Sequence, residues 1–92
     1  MVAKGKAHIH NEAGIHCRPS AEIVKQVAGY PGVMRVIHAE EGESDLRSML
    51  SLMMLALTHG TDVEVEVSGP DEEAQLQRII ALLETEYDFQ QT

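Results

Sequence analysis

The chain has 92 residues, 43% of them hydrophobic, and its fifteen Asp and Glu against seven Lys and Arg give a formal net charge of −8. That length predicts one domain over residues 1–92, and the hydrophobic share fits a globular protein and argues against a disordered chain. The acidic balance argues against a nucleic-acid partner, because a phosphate backbone selects basic surfaces. A local basic patch stays open, since Lys4, Lys6, Arg18, Lys25, Arg35, Arg47 and Arg78 are scattered through the chain.

A single cysteine, Cys17, cannot form an internal disulfide, so nothing points to an oxidising compartment. The opening MVAKGKAHIHNE lacks the apolar run of a signal peptide, and no stretch reaches the roughly 18 apolar residues of a membrane span. A cytoplasmic protein without membrane insertion is the default expectation. With no Trp, one Phe and two Tyr, the core is expected to be aliphatic and rich in Met.

Residues 2–10 alternate, Val2, Lys4, Lys6, His8 and His10 interleaving with Ala3, Gly5, Ala7 and Ile9, which predicts a strand. A turn is expected over Asn11–Gly14. Pro19–Ala28 reads as a helix with Ala21, Val24, Val27 and Ala28 on its apolar stripe. Pro19 suits a first helical turn, where its missing N–H costs nothing, and the GYPG run at 29–32 ends the helix. VMRVIH at 33–38 is a β-branched strand, AEEGE a hairpin turn, and a short strand follows. Arg47–Leu57 is expected to be helical. DVEVEVS at 62–68 alternates cleanly, with Val63, Val65 and Val67 facing in and Glu64 and Glu66 out. The last helix follows Pro70, carries acids in its first turn where the dipole favours them, and has Leu76, Ile79, Ile80 and Leu83 as its stripe. The closing DFQQT is expected to fray. The order β-α-β-β-α-β-α is a split βαβ pattern with an added helix, an α+β domain of two layers.

SMLSLMMLAL at 48–57 is too apolar for an ordinary amphipathic helix, because Met49, Leu50, Leu52, Met53, Met54, Leu55 and Leu57 point all round it. A small two-layer domain covers one helix face only, so some of these side chains should reach solvent as an apolar patch. Such patches mark protein-binding surfaces, and Met suits surfaces that meet several partners. Cover by loops or by a second copy accounts for the same pattern. Ser48 reads as a plain cap serine from the residues alone.

GIHCRPSAEIVK at 14–25 carries the chemistry. If His16 ends a loop and Cys17–Ser20 open a helix, the unpaired backbone N–H groups and the positive dipole end favour an anion. Arg18 adds a planar fork of donors suited to phosphate. A histidine with an ordinary pKa near ~6.5 is largely neutral at pH 7 and can act as a nucleophile. Gly14 would let the backbone turn tightly before the site. These parts suit a phosphohistidine and lack the paired acid or metal motif of hydrolysis. A polar helix cap with an arginine neighbour fits the same residues, and for a short motif that plainer reading leads.

The run NEAGIHCRPSAEIV resembles the active-site signature of the HPr family, the histidine phosphocarriers of the bacterial phosphoenolpyruvate-dependent phosphotransferase system. DLRSMLSLMML resembles the family's second signature, around its regulatory serine, and THGTDVEVEVSGPDEEAQL resembles the strand and final helix that follow. The HAEEGESDLRS hairpin and the VEVSGP ending look more like the nitrogen-branch homologue NPr. The resemblance covers essentially the whole chain and implies an open-faced β-sandwich, a four-stranded antiparallel sheet with three helices on one face. It implies a relay protein, not an independent catalyst, needing no cofactor or metal. His16 would accept a phosphoryl group on Nδ1 from enzyme I and pass it to enzyme IIA domains. Arg18 would steady that group, with the amides of Cys17 and Arg18 facing it. Ser48 matches the serine modified by HPr kinase/phosphorylase in some bacteria. Met49, Leu50 and Met53 match the apolar docking surface and Lys25 its basic rim. A monomer is expected.

The chain departs from the family pattern in places. Cys17 and Ser20 stand where Ala is usual; Cys17 is read as an inert small packing residue rather than an oxidisable thiol. Asp45 and Arg47 replace the usual Asn and Lys before the serine, and His59 stands where Lys or another polar residue is common. His8, His10 and His38, lacking a Cys or carboxylate at ligand spacing, are read as a solvated face rather than a metal site. Two further readings accompany the relay: a regulatory binding module switched by phosphate on Ser48, and a generic interaction module in which His16 merely caps a helix.

Overall fold

The structure, a computed structural model, describes residues 2–12, 14, 15 and 17–86. Its elements run β1 (Ala3–His8), α1 (Cys17–Val27), β2 (Val33–His38), β3 (Gly42–Asp45), α2 (Met49–Met54), β4 (Asp62–Ser68) and α3 (Glu72–Glu84). The four strands form one antiparallel sheet in the order β1-β4-β2-β3. Alternation in β4 decides both faces. Val63, Val65 and Val67 are buried, opposite Ala7, Gly5 and Ala3 of β1 and beside Met34 and Val36 of β2. All three helices lie over that apolar face: α3 packs on β1 and β4, α2 on β3, and α1 against α2 and α3. The expected α+β architecture is therefore the observed one.

The other sheet face is open and charged. Glu66 lies between Lys4 (3.9 Å) and Arg35 (3.0 Å), and Arg35 continues to Glu43 at 3.0 Å. Exposed pairs of this kind contribute about 0–1 kcal/mol each. Their clearer role is to keep a long sheet face soluble and in register.

The core is aliphatic, as expected, but it is not rich in Met. Among the described residues only Met34 enters it; Met53 is half-buried, and Met49 and Met54 are exposed. The α1 stripe is also rotated from its expected position. Pro19, Ser20, Ile23 and Val27 are buried and Val24 half-buried, while Ala21 and Ala28 face solvent. The bulkiest side chain sets the facing of the helix, because burying Ile23 gains more apolar area than burying either alanine. In α3, Leu76, Ile79 and Leu83 are buried and Ile80 packs at the edge, as its pattern predicts.

The expected helix over Arg47–Leu57 is cut to six residues. Ser48 caps it, accepting the Ser51 N–H at 3.1 Å. Arg47 lies before the cap, held by its own N–H to Asp45 Oδ1 at 2.8 Å. Its guanidinium donates to the Tyr30 carbonyl at 2.8 Å and to the Gly32 carbonyl. At the other end Ala56 takes a positive φ of 51°, which breaks the helix and turns Leu57 into the core. Tertiary burial of Leu55 and Leu57 thus overrides a favourable helical run.

Tyr30 ties the α1–β2 connection to the start of α3, its hydroxyl donating to the Pro70 carbonyl at 2.7 Å. Loss of solvent around the ring, with Glu72 and Asp71 nearby, raises the phenol's pKa. No helix among the described residues is long and apolar enough to cross a membrane.

Candidate functional site

The loop ahead of α1 is built from the sequence turn at Asn11–Gly14. The Gly14 N–H donates to the Asn11 carbonyl at 2.9 Å, and Asn11 Nδ2 donates back to the Gly14 carbonyl at 2.6 Å. Gly14 sits at φ +75°, a conformation glycine adopts freely. A Cβ there would lie 2.6 Å from the Leu57 carbonyl oxygen, so the position has no room for one. The next N–H, on Ile15, donates to that same Leu57 carbonyl at 2.7 Å. The loop before α1 is therefore fastened to the segment that leaves α2.

His16 follows Ile15 in the chain and lies outside the described residues. Cys17 and Arg18 are the first two residues of α1, both exposed, and the first turn of this 11-residue helix holds no acidic side chain. Pro19 stands third, within the turn whose N–H groups lack helical partners. The helix starts two residues earlier than the sequence pattern predicts, because a proline in that turn costs nothing. Cys17 is a correction: expected to be a packing residue, it is an exposed free thiol. Ser20 is the small residue that packs, fully buried, with Oγ donating to the Ile15 carbonyl at 3.4 Å.

The apolar patch lies on α2, which packs beside α1. Leu50 and Met54 are 67% and 71% exposed, Met49 is 41% exposed, and Met53 is half-buried; Leu52 faces the core. The sequence reading of a helix that cannot bury all its apolar side chains holds. Met54 is the most exposed of them and belongs to the patch, although the family signature did not single it out. Lys25 is exposed in the last turn of α1. Ser48 is half-buried at the α2 cap.

The histidines outside this region do not converge. His8 Nδ1 is 2.6 Å from Asp62 Oδ1, with the His10 ring edge-on at 4.9 Å. His38 is elsewhere, its Nδ1 accepting the Glu40 and Glu41 N–H groups at 3.1 and 3.3 Å in the β2–β3 turn. Among the described residues no group of three candidate ligands is placed to hold a metal ion.

Sheet, covering helices and helix mouth together define a small α+β domain with a helix N-terminus open to an anion, and comparison with known proteins gives its family. The family model described as "PTS HPr component phosphorylation site" matches residues 3–85. Phosphocarrier protein NPr of Escherichia coli K12 is 32% identical over 88 residues, 96% of this chain and 98% of that protein. Phosphocarrier protein HPr of Pseudomonas aeruginosa is 31% identical over 80 residues, covering 87% and 89%. In structure, the phosphocarrier HPr of Bacillus anthracis superimposes with a TM-score of 0.83 over 90% of this chain and 98% of that one, at 18% identity.

The chain belongs to the HPr family of phosphocarrier proteins of the phosphotransferase system. It is a relay protein that carries a phosphoryl group between other proteins.

Proposed function

We propose that His16 is the phosphoryl acceptor, taking the group on Nδ1 from phospho-enzyme I and handing it to an enzyme IIA domain in the cytoplasm. The observation that carries this reading is the start of α1. Cys17 and Arg18 are exposed at the mouth of an 11-residue helix without acids in its first turn, directly after His16 in the chain. The amide groups of a helix N-terminus and the helix dipole favour an incoming negative charge there. Arg18 adds a permanent positive charge suited to a phosphoryl group carried by the residue two before it in the chain. Transfer needs positioning and charge stabilisation and little else. The test is incubation with phosphoenolpyruvate and enzyme I: one acid-labile phosphoryl group per chain is expected, and none would end the proposal.

The chain works as one domain and a monomer, docking through Met49, Leu50 and Met53 with Lys25 at the rim. Leu50→Glu should leave the fold unchanged, since that side chain is 67% exposed. It should raise the KM for this chain in enzyme I phosphorylation roughly tenfold or more, because charge in an apolar contact is costly. An unchanged KM would move the docking surface elsewhere. The acceptor belongs to the sugar or the nitrogen branch, and identities of 32% to an NPr and 31% to an HPr weigh the two alike.

A regulatory role is favoured by one observation. Ser48 caps α2 beside exposed Met49 and Leu50, so a phosphate there would set charge against the docking patch. HPr kinase with ATP should then modify the protein but not its Ser48→Ala variant. Arg47 and Asp45, which differ from the family pattern, are bonded to each other at this turn, and Arg47 also reaches the Tyr30 carbonyl. Modification that survives Ser48→Ala would remove this role.

A further inference from the structure

Among the described residues only Asn11, Ser20 and Ser44 are buried polar side chains, at 4%, 0% and 3% exposure. Burying an amide or a hydroxyl is unfavourable unless it is hydrogen-bonded. Asn11 and Ser20 are both directed at consecutive carbonyls, those of Gly14 and Ile15, which are the last two before His16 in the chain. Asn11 Nδ2 donates to the Gly14 oxygen at 2.6 Å, and Ser20 Oγ donates to the Ile15 oxygen at the longer distance of 3.4 Å. The Ile15 N–H is held separately, by the Leu57 carbonyl at 2.7 Å.

The Gly14–Ile15 peptide plane is thus gripped through both its C=O and its N–H. A plane held at both ends cannot rotate, which removes one soft degree of freedom from the backbone that enters His16. The following carbonyl is tethered from inside α1, by a side chain one turn beyond the helix mouth. The described apolar core, with Ile9, Ile15, Ile23 and Leu57 among its buried members, draws on neither side chain. An alanine at position 20 would fill the same helix face without a buried hydroxyl, and Ala has the higher helix propensity.

We infer that Asn11 and Ser20 are positioning residues for phosphoryl transfer, a buried clamp that fixes the backbone leading into His16 and so the aim of its ring. The inference rests on the assignment of His16 as acceptor. Transfer between two proteins requires the acceptor nitrogen to meet the phosphorus in line, and displacement of about 1 Å can cost on the order of a hundredfold in rate. A clamp acting on two carbonyls would matter for the transfer step and leave the docking patch on α2 as it is.

The experiment compares wild type, Ser20→Ala and Asn11→Ala in phosphorylation by enzyme I with phosphoenolpyruvate, with thermal melts of each protein. Ser20→Ala should remain folded and keep its KM while kcat falls severalfold. Asn11→Ala should lose on the order of tenfold in kcat per folded molecule, again at unchanged KM. A merely structural role would lower the melting temperature of Asn11→Ala and leave kcat of the folded fraction intact, and that result overturns the inference. Unchanged kcat in Ser20→Ala overturns the Ser20 half of it even if Asn11→Ala fails to fold. If wild type is labelled normally and both variants match it, the clamp is wrong and the acceptor assignment stands. If wild type takes no label, both are wrong.

Discussion

His16→Ala should take up no acid-labile phosphate from phosphoenolpyruvate and enzyme I under conditions that label the wild-type chain fully. The effect is all or nothing because the variant removes the nucleophile, whereas losing Arg18 removes only charge stabilisation. A phosphoryl group on imidazole nitrogen is lost in acid, while a serine ester survives it. The same samples therefore separate this site from Ser48. The eighteen buried apolar residues of the described core are supplied by other positions. Far-UV circular dichroism of the variant should match wild type. Label persisting in His16→Ala would place the acceptor at another residue and would reduce the helix mouth to a polar cap.

The second large effect concerns the loop rather than the nucleophile. Gly14→Ala should destabilise the protein by several kcal/mol. Holding an L-residue in the left-handed region costs about 1–2 kcal/mol. Forcing backbone apart in a packed region adds typically about 1–3 kcal/mol. Here the added Cβ meets the Leu57 carbonyl oxygen at 2.6 Å and Thr58 Cα at 3.1 Å, both backbone atoms that cannot rotate away. Against a total stability of roughly 5–15 kcal/mol this is a large fraction, so the urea midpoint should fall clearly. Gly29→Ala is the matched control: nothing lies within 4 Å of the added carbon and φ is not positive. Its midpoint should hardly move. Equal midpoints for both variants would contradict the tight contact between the loop and the segment after α2.

Much of this site was legible in the sequence because it rests on local rules. Gly14 before His16, Arg18 beside it and Pro19 in a first turn are a turn, a charge and a helix start. Each of these has a signature within a few residues. The excess of apolar side chains on α2 was legible for a related reason, since counting them against one helix face already leaves some in solvent. What local rules mistook was facing and extent. They assigned Ala21 and Ala28 to the buried side of α1 and ran α2 through Leu57. Cys17, read against the family pattern as a small packing residue, is exposed instead, and Ser20 is the one that packs. Asn11 carried only a turn preference, because nothing in a sequence says which polar side chain will be buried.

By itself, then, the sequence determined the order of elements, the inward row of Val63, Val65 and Val67, and the chemistry available at residues 14–20, all of which follow from periodicity and residue type. Only the tertiary structure decided that Leu57 turns back under the loop at Gly14 and Ile15, that α2 stops at Met54, and that Asn11 and Ser20 close on two neighbouring carbonyls. The first of those facts depends on a contact between segments some forty residues apart, as Gly14 and Leu57 are, and the others on which side chains burial selects, a competition that no local pattern records.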